Sequence, residues 1–595
     1  MTSPASIETD VLIVGGGPCG LMLANELGRR GVSCLVVDRK PGTAFNPQAN
    51  ATQARTMEHY RRLGFAHRVR AQGLPADHPT DVAYLTRFAG HEMARLRLPT
   101  AAQATQVIRG MSGSWSAAEL PHRVSQKFVE VVLREEAQAL PGVDLRYGWE
   151  LRGFSENSQG IEAEVAPVDV LPVTAGDGPA SPAATTSSTA PDAAAQGMTV
   201  QARWLVGADG ARSGVRARLG IEWEGGTGFK RSFMGGRMLA VYLKAPDFYR
   251  LNPNDRAWMY VKVNPAQRAF IMSVDGVSEF AFHTQLADDT DVDALTHDDA
   301  RALFARASGL DIPIEILSMA PWLAGHALVA SRFQQGRVFI GGDAAHLFTP
   351  TGGLGYNTAV EDAVNLGWKL AAVLKGQAPP ALLDSYGLER KPLAQRNTGY
   401  ARQFADSIGL FDAVPELDED TPEGQRARDV AGKYLNGHVR REFNVPGVTF
   451  GGRYDGSPVI VADGSTPPQD AANSYQPSAC PGGRPPHAWL ADGRSLFDLF
   501  GFEWTLLVLK DSAGQCTAPT AGFEAAAHAL GVELKVVHPE AGEAPDPQGE
   551  QGRQSLIDLY EAPLVLIRPD HIVAWRGSSD ADAAQVMRQV LGWGG

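Results

Sequence analysis

The residues best able to do chemistry sit in three glycine-and-aspartate clusters. In the first, the apolar run Asp10-Val11-Leu12-Ile13-Val14 enters Gly15-Gly16-Gly17-Pro18-Cys19-Gly20, a G-x-G-x-x-G pattern. Leu21, Ala24, Leu27 and Gly28 follow at helical spacing, Gly31 stops the helix, and a second apolar run over 33–37 ends in Asp38, eighteen residues past Gly20. This order predicts a buried parallel strand, a tight turn, a crossover helix and a second strand. Gly15 allows the turn, Gly17 lets a pyrophosphate approach the backbone, and Gly20 lets the helix lie close to the strand. The helix start offers free N–H groups to phosphate, and Asp38 can bind ribose hydroxyls. The pattern predicts dinucleotide binding and leaves NAD and FAD open. Arg39, beside Asp38, either faces solvent or reaches a phosphate.

The second cluster, Val206-Gly207-Ala208-Asp209-Gly210, ends another apolar run and leads to Arg216 on the next helix. The third, Val338-Phe339-Ile340-Gly341-Gly342-Asp343, ends a further strand. His346, Pro350 and Gly352-Gly353-Leu354-Gly355-Tyr356-Asn357 come after it, then a long helix carrying Ala359, Asp362, Ala363, Leu366, Trp368 and Leu370. A glycine-rich loop lets backbone N–H groups approach a bound group closely, and a following helix start favours negative charge there.

In the order and separation of these motifs, across its N-terminal three-quarters, the sequence resembles the single-component flavoprotein aromatic hydroxylases, the p-hydroxybenzoate hydroxylase and phenol hydroxylase family. The resemblance implies bound FAD. Gly15, Gly17, Gly20 and Asp38 would hold its ADP half, and Asp343 its ribityl chain. Asp209 would serve FAD and a passing nicotinamide. Pro350, Gly352, Gly353, Leu354, Gly355, Tyr356 and Asn357 would line the isoalloxazine ring. Gln126, early in a helix expected over 124–139, stands where the family has an FAD-contacting glutamine. Gln48 stands where the family often has a phosphate-contacting arginine; it is expected to contact FAD as an uncharged hydrogen-bond donor, with the pyrophosphate leaning on Arg39 or Arg55.

The implied fold is α/β: a Rossmann-type FAD-binding domain interleaved with a mixed or antiparallel substrate sheet, plus a C-terminal thioredoxin-like α/β domain. The expected limits are 1–80, 108–228 and 318–400 for FAD binding and 81–107 and 229–317 for the substrate sheet. A helical connector over 401–450 and the thioredoxin-like unit over 451–595 complete the chain. By resemblance, hydride from NAD(P)H reduces FAD, O2 adds at flavin C4a, and the hydroperoxide hydroxylates a phenolic ring. Only one dinucleotide fingerprint is present, so NAD(P)H is expected as a transient co-substrate. No C-x-x-C pair exists, so electrons are expected to pass through flavin alone. Baeyer–Villiger or polyketide-tailoring oxygenation, and a flavin-bearing sensor without turnover, are the alternatives, because fold does not fix chemistry.

Alternating segments over 237–243, 257–261, 269–273 and 279–283 predict antiparallel strands with one face over the substrate. The pocket wall is expected to draw on Arg237, Tyr242, Tyr260, Met272 and His283. The catalytic candidates are His122, just before the Gln126 helix, Tyr260, and Arg237, which would also suit a substrate carboxylate. The Ala-, Pro-, Ser- and Thr-rich stretch 165–197 reads as an extended loop without chemistry. Of 595 residues, 67 are acidic and 54 basic, and the net charge of −13 argues against nucleic acid as a partner. Four scattered cysteines exclude a disulfide framework, and the unpaired Cys516 reads as a packing or dimer-interface residue. No apolar run would span a bilayer, no metal-ligand spacing occurs, and a cytoplasmic homodimer is expected.

Overall fold

The computed structural model describes residues 6–168, 197–227, 233–510, 514–516, 518–540 and 555–594. The expected loop at 165–197 lies, except at its ends, outside the described residues; Val165 still belongs to the strand Ile161–Pro167. The first apolar run forms strand Ser6–Val14, which sits between Cys34–Asp38 and Met198–Gly207 in a parallel core flanked by Val143–Tyr147 and Val338–Ile340. Its residues are apolar because both faces are covered: Val11, Leu12 and Ile13 are fully buried. Helix Pro18–Gly28 packs between helices Gln126–Gln138 and Leu354–Leu374 on this sheet.

The register decides where chemistry can happen. Val14 stands opposite both Val37 and Gly207, and Gly207 opposite Ile340. All three glycine-and-aspartate clusters therefore leave the sheet at the same carboxyl edge, beside the strand where the order reverses. That edge is where open α/β sheets bind ligands.

A second, seven-stranded sheet runs in the order Glu315–Ala324, Gly236–Lys244, Glu279–Gln285, Arg268–Ser273, Met259–Val263, Val82–Leu85, Glu92–Leu96. It is antiparallel except where Met259–Val263 pairs with Val82–Leu85. Its edge strand Glu315–Ala324 crosses the expected limit at 317, because it pairs along its whole length with Gly236–Lys244. One face buries Phe248, Phe280, Phe282 and Phe304 under helix His297–Ser308. The other is apolar too, rich in Met238, Met259, Phe270 and Met272, and packs on Ala51 and on Ala405, Leu435 and Val439 of helices Asp384–Gly409 and Pro422–Phe443.

The C-terminal unit is a four-stranded sheet, Leu534–Val537, Trp504–Val508, Leu564–Ile567, Val573–Gly577, with helices Ala521–Ala529 and Ala583–Val590. Its strand–helix–strand and hairpin–helix order agrees with a thioredoxin-like unit, and all four cysteines are free. A buried ionic cluster docks it. Glu389 accepts from both Arg568 Nη atoms at 2.7 and 2.9 Å, from Lys369 Nζ at 2.6 Å, and from Asn365 and Ser457 at 2.7 Å each. Burial alone would raise the Glu389 pKa, but Arg568 and Lys369 outweigh it and hold the carboxyl well below the ordinary glutamate value. Burial lowers Lys369 to about 8.

Because the folded Glu389 pKa is depressed, its stabilisation is present above the unfolded value of about 4.3 and drains away as pH falls toward the folded one. Glu389→Gln leaves two buried cations short of a partner and is expected to cost about 3–5 kcal/mol in urea denaturation at neutral pH. A loss below about 1 kcal/mol, the range of exposed pairs, would contradict this account of the cluster.

Candidate active site

The three glycines of the first motif do two different jobs. Gly15 has φ +115°, and a Cβ on it would lie 2.1 Å from the Ala208 carbonyl oxygen; one on Gly20 would lie 1.9 Å from the Gly15 carbonyl oxygen. Both are glycine so that backbones can touch. Gly17 has an ordinary φ of −86°, and nothing lies within 4 Å of a Cβ built there. That space is bounded by the start of helix Pro18–Gly28, which no side chain caps. Open room at an uncapped helix start fits a pyrophosphate. Asp38 Oδ2 accepts from Gly16 N at 2.7 Å and Oδ1 from Lys40 N at 2.8 Å, leaving lone pairs on both oxygens for ribose hydroxyls.

Arg39 is exposed next to Asp38. Arg55, the other candidate for phosphate, turns away: its Nη2 donates to the carbonyls of Asp570 and His571 at 2.9 Å each, so it fastens the C-terminal unit instead. Gln48 and Gln126 are brought together, with Gln126 Nε2 3.5 Å from Gln48 Oε1 and 2.7 Å from Glu130 Oε1.

Asp343 stands at the same edge, accessible to water yet surrounded by protein. Desolvation raises its carboxyl pKa above the ordinary value, while His346 and Lys40 pull it down. Its loop hangs on Asp362, which the sequence placed on the long helix without a role. Asp362 Oδ2 accepts from Gly342 N at 3.1 Å and lies 2.7 Å from His346 Nε2, while Oδ1 accepts from Arg390 Nε at 2.8 Å. Asp362, His346 and Arg390 are all buried. Burial alone would raise Asp362, but His346 and Arg390 hold its carboxyl below the ordinary value. The overlooked signal was a carboxylate set beside Ala359, Ala363 and Leu366 on the buried side of that helix. Asp209 differs: it accepts from Ser213 Oγ at 2.5 Å and from Val215 N at 3.1 Å, so both oxygens shape the turn into helix Gly214–Arg218.

The run from Pro350 to Asn357 divides. Gly352 and Gly353 adopt φ of +66° and +64°, and no side chain caps helix Leu354–Leu374. Pro350 is exposed, and the two glycines are partly so. A Cβ on Gly353 would stand 3.1 Å from Ala51 Cβ on the facing loop, and one on Gly355 3.3 Å from Phe348. Leu354 packs inward with Phe404 and Val448. Tyr356 shares a 2.5 Å hydroxyl contact with buried Tyr60. Asn357 accepts from Gln53 N at 2.8 Å and Thr56 Oγ1 at 2.7 Å and donates to the carbonyls of Ala51 and Gly353 at 3.0 and 2.6 Å. Pro350, Gly352 and Gly353 thus border the open side, while Leu354, Tyr356 and Asn357 hold the loop in place.

Loop 44–53 joins this edge to the second sheet. Phe45 meets Tyr242 edge-on at 5.5 Å, Ser318 Oγ donates to Asn46 Oδ1 at 2.5 Å, and Ala51 enters the apolar cluster of Phe270, Met238 and Met272. The sheet face bearing Tyr242, Met272 and His283 therefore looks at the glycine loop. Tyr242 donates to Glu279 and accepts from Lys127 Nζ at 2.7 Å.

None of the three catalytic candidates lies on that face. Strand alternation puts Tyr260 on the opposite one, against Phe248 at 5.5 Å, with its hydroxyl donating to Asp255 O and accepting from Ala257 N. Arg237 also lies off that face; it is exposed and donates to Thr290 O at 3.0 Å. His122 pairs its backbone with Thr52 and its Nε2 is 3.2 Å from Gln72 O. Burial lowers its pKa to about 4, so its ring is neutral. Among the described residues, no cluster of metal-ligating side chains occurs and no helix is long and apolar enough to cross a membrane.

Gly17→Ala is expected to leave the melting temperature of the apoprotein unchanged and to weaken FAD binding by at least about tenfold, its methyl meeting only the cofactor. Gly20→Ala meets backbone and is expected to lower the melting temperature itself. Thermal denaturation beside an FAD titration reads both; equal destabilisation by the two variants would contradict the assignment.

Comparison with known proteins gives the family of this chain. Residues 8–401 match the family model of an FAD binding domain, and residues 478–594 that of the aromatic-ring hydroxylase C-terminal region. Phenol 2-monooxygenase from Pseudomonas sp. (strain EST1001) is 31% identical over 602 residues, covering 96% of this chain and 90% of that one. A putative polyketide hydroxylase from Streptomyces halstedii is 31% identical over 608 residues, covering 98% and 96%. The solved structure of the rebeccamycin biosynthetic enzyme RebC with reduced flavin covers 99% of both chains at 32% identity and a TM-score of 0.81. The chain belongs to the FAD-dependent aromatic and polyketide monooxygenases and is a flavoprotein enzyme of that family.

Proposed function

We propose that this monooxygenase consumes NAD(P)H and O2 to hydroxylate a phenolic ring. The observation that carries the reading is the confrontation of two surfaces: the open glycine loop at Pro350, Gly352 and Gly353, and the aromatic and methionine face of the second sheet, bridged by Ala51. FAD, when bound, supplies the redox chemistry that takes hydride from a nicotinamide and activates oxygen.

This chain's residues supply the rest. Gly17 and the helix start at Pro18 receive phosphate, Asp38 receives ribose hydroxyls, and Asp343 presents a carboxylate at the same edge. Met238, Met272, Phe270 and Trp322 offer flat apolar contact to a planar ring. Their dryness matters, because water at the reacting centre diverts activated oxygen to hydrogen peroxide. The single dinucleotide fingerprint supports a nicotinamide that visits and leaves. The name of the Pseudomonas relative supports a phenol as substrate, and that of the Streptomyces relative supports a polyketide ring as the second reading. His122, Arg237 and Tyr260 are not part of the proposal.

Purified enzyme with FAD is expected to oxidise NADH or NADPH at least about tenfold faster when a hydroxylatable phenol is present, with hydroxylated product formed in step. Oxygen uptake and product chromatography over a panel of phenols and both nicotinamides test this. Phenols that bind without accelerating nicotinamide oxidation overturn the phenol-hydroxylase reading.

A further inference from the structure

The inner face of the second sheet contains a row of side chains that does not look like a plain core. Antiparallel register places Ala320 opposite Ala240, Ala240 opposite His283, and His283 opposite Phe270. Directly opposite residues share a face, so these four form one line across four strands. Their neighbours along the strands, Met238, Tyr242 and Ala281, are buried. Yet Ala240 and His283 are partly exposed and Ala320 is exposed. At Ala240, exposure in the middle of the sheet between the buried Met238 and Tyr242 means a trough, which continues beside the partly exposed His283 and opens at Ala320 on the edge strand. Two methyl side chains form its floor, and Trp322, paired with Met238, borders it.

The trough has a length and a polarity. Strands lie about 4.8 Å apart, so His283 to Ala320 spans about 10 Å, and the Ala320 end lies on the edge strand and opens outward. A single benzene ring would leave half of that floor uncovered. The deep end carries the row's one polar side chain. The His283 ring stacks on Phe270 at 4.6 Å and 7° and meets Trp322 edge-on at 5.9 Å. Its Nδ1 is buried without a hydrogen-bond partner, and so is Trp322 Nε1. Such groups are costly to bury unmatched, and a ligand oxygen relieves the cost. Burial lowers the His283 pKa to about 4, which makes the ring a neutral imidazole with one donor and one acceptor.

We propose that His283 hydrogen-bonds the substrate hydroxyl, and that the trough over Ala240 and Ala320 selects a flat phenol of two or more fused rings over a single-ring phenol. The proposal rests on the hydroxylase reading above and assigns the substrate contact that His122, Arg237 and Tyr260 do not make. His283 orients the ring through its hydroxyl, and the alanines admit the second ring.

The test uses FAD-loaded full-length enzyme without nicotinamide, with binding read from the perturbation of the flavin absorbance by phenol, 2-naphthol and naphthalene. The wild type is expected to bind 2-naphthol about tenfold more tightly than phenol. His283→Phe keeps a flat ring on Phe270 and is expected to weaken 2-naphthol about tenfold while leaving naphthalene within about twofold. Ala240→Phe fills the floor and is expected to weaken 2-naphthol at least about tenfold and phenol less than about twofold. Ala320→Trp, at the exposed edge, gives the same ring-size test without touching the interior. Equal loss for 2-naphthol and naphthalene in His283→Phe, or equal effects on phenol and 2-naphthol in the alanine variants, overturns the proposal. Wild-type turnover keeps the two readings apart. Hydroxylation with variant binding unchanged sinks this inference alone; the expected binding pattern without hydroxylation sinks the function alone; binding of neither phenol sinks both.

Discussion

The carboxylate of Asp362 is the point on which the site is hung. It lies on helix Leu354–Leu374, whose N-terminus is the open glycine loop, and it receives the backbone of Gly342, the ring of His346 and the guanidinium of Arg390. One buried group thereby ties together the third glycine-and-aspartate loop, the helix behind the ring-facing loop, and helix Asp384–Gly409, which carries Arg390. A buried carboxylate survives only where its partners replace water, and here donors reach both oxygens. The geometry at Asp343 is inherited from that arrangement, since Gly342 is its neighbour in the chain.

The second constraint is how the two sheets face each other. Parallel register gathers three loops at one edge, where backbone N–H groups and carboxylates serve a charged, flat cofactor. The antiparallel sheet contributes the opposite character: methionine, phenylalanine and tryptophan, with polar atoms kept few. Loop 44–53 is bonded to helix Leu354–Leu374 through Asn357 and to the antiparallel sheet through Ser318. The C-terminal unit acts on this centre indirectly. Its Arg568 and the carbonyls of Asp570 and His571 hold Glu389 and Arg55, which lie on helices Asp384–Gly409 and Ala54–Arg62.

What the sequence made legible follows the range of the forces involved. The strand–glycine–helix unit is local: turn sterics and hydrophobic period alone announce Gly15, Gly20 and the crossover, and the α/β class with it. The open position at Gly17 was legible for the same reason. Tyr260 was misplaced because an alternating segment shows that two faces exist without showing which one meets the cofactor; a shift of one residue exchanges Met259 for Tyr260. His122 and Arg55 looked available because their partners, Gln72 O and the carbonyls of Asp570 and His571, are backbone atoms brought in by tertiary packing. Asp362 and Glu389 were hidden in the same way, as helix residues whose cations come from the neighbouring helix and, for Glu389, also from Arg568 in the C-terminal unit. The trough at Ala240 and Ala320 needs strand register, which no single segment encodes.

The central claim is that the cleft between the glycine loop and the methionine-rich face transfers one atom of dioxygen to an aromatic ring. Turnover of 2-naphthol under isotopically labelled dioxygen, with mass analysis of the product, tests it most directly. The account predicts one labelled oxygen atom in the hydroxylated ring and one nicotinamide oxidised for each product molecule. Label found only in hydrogen peroxide, with the phenol recovered unchanged from this and the other phenols, would contradict it.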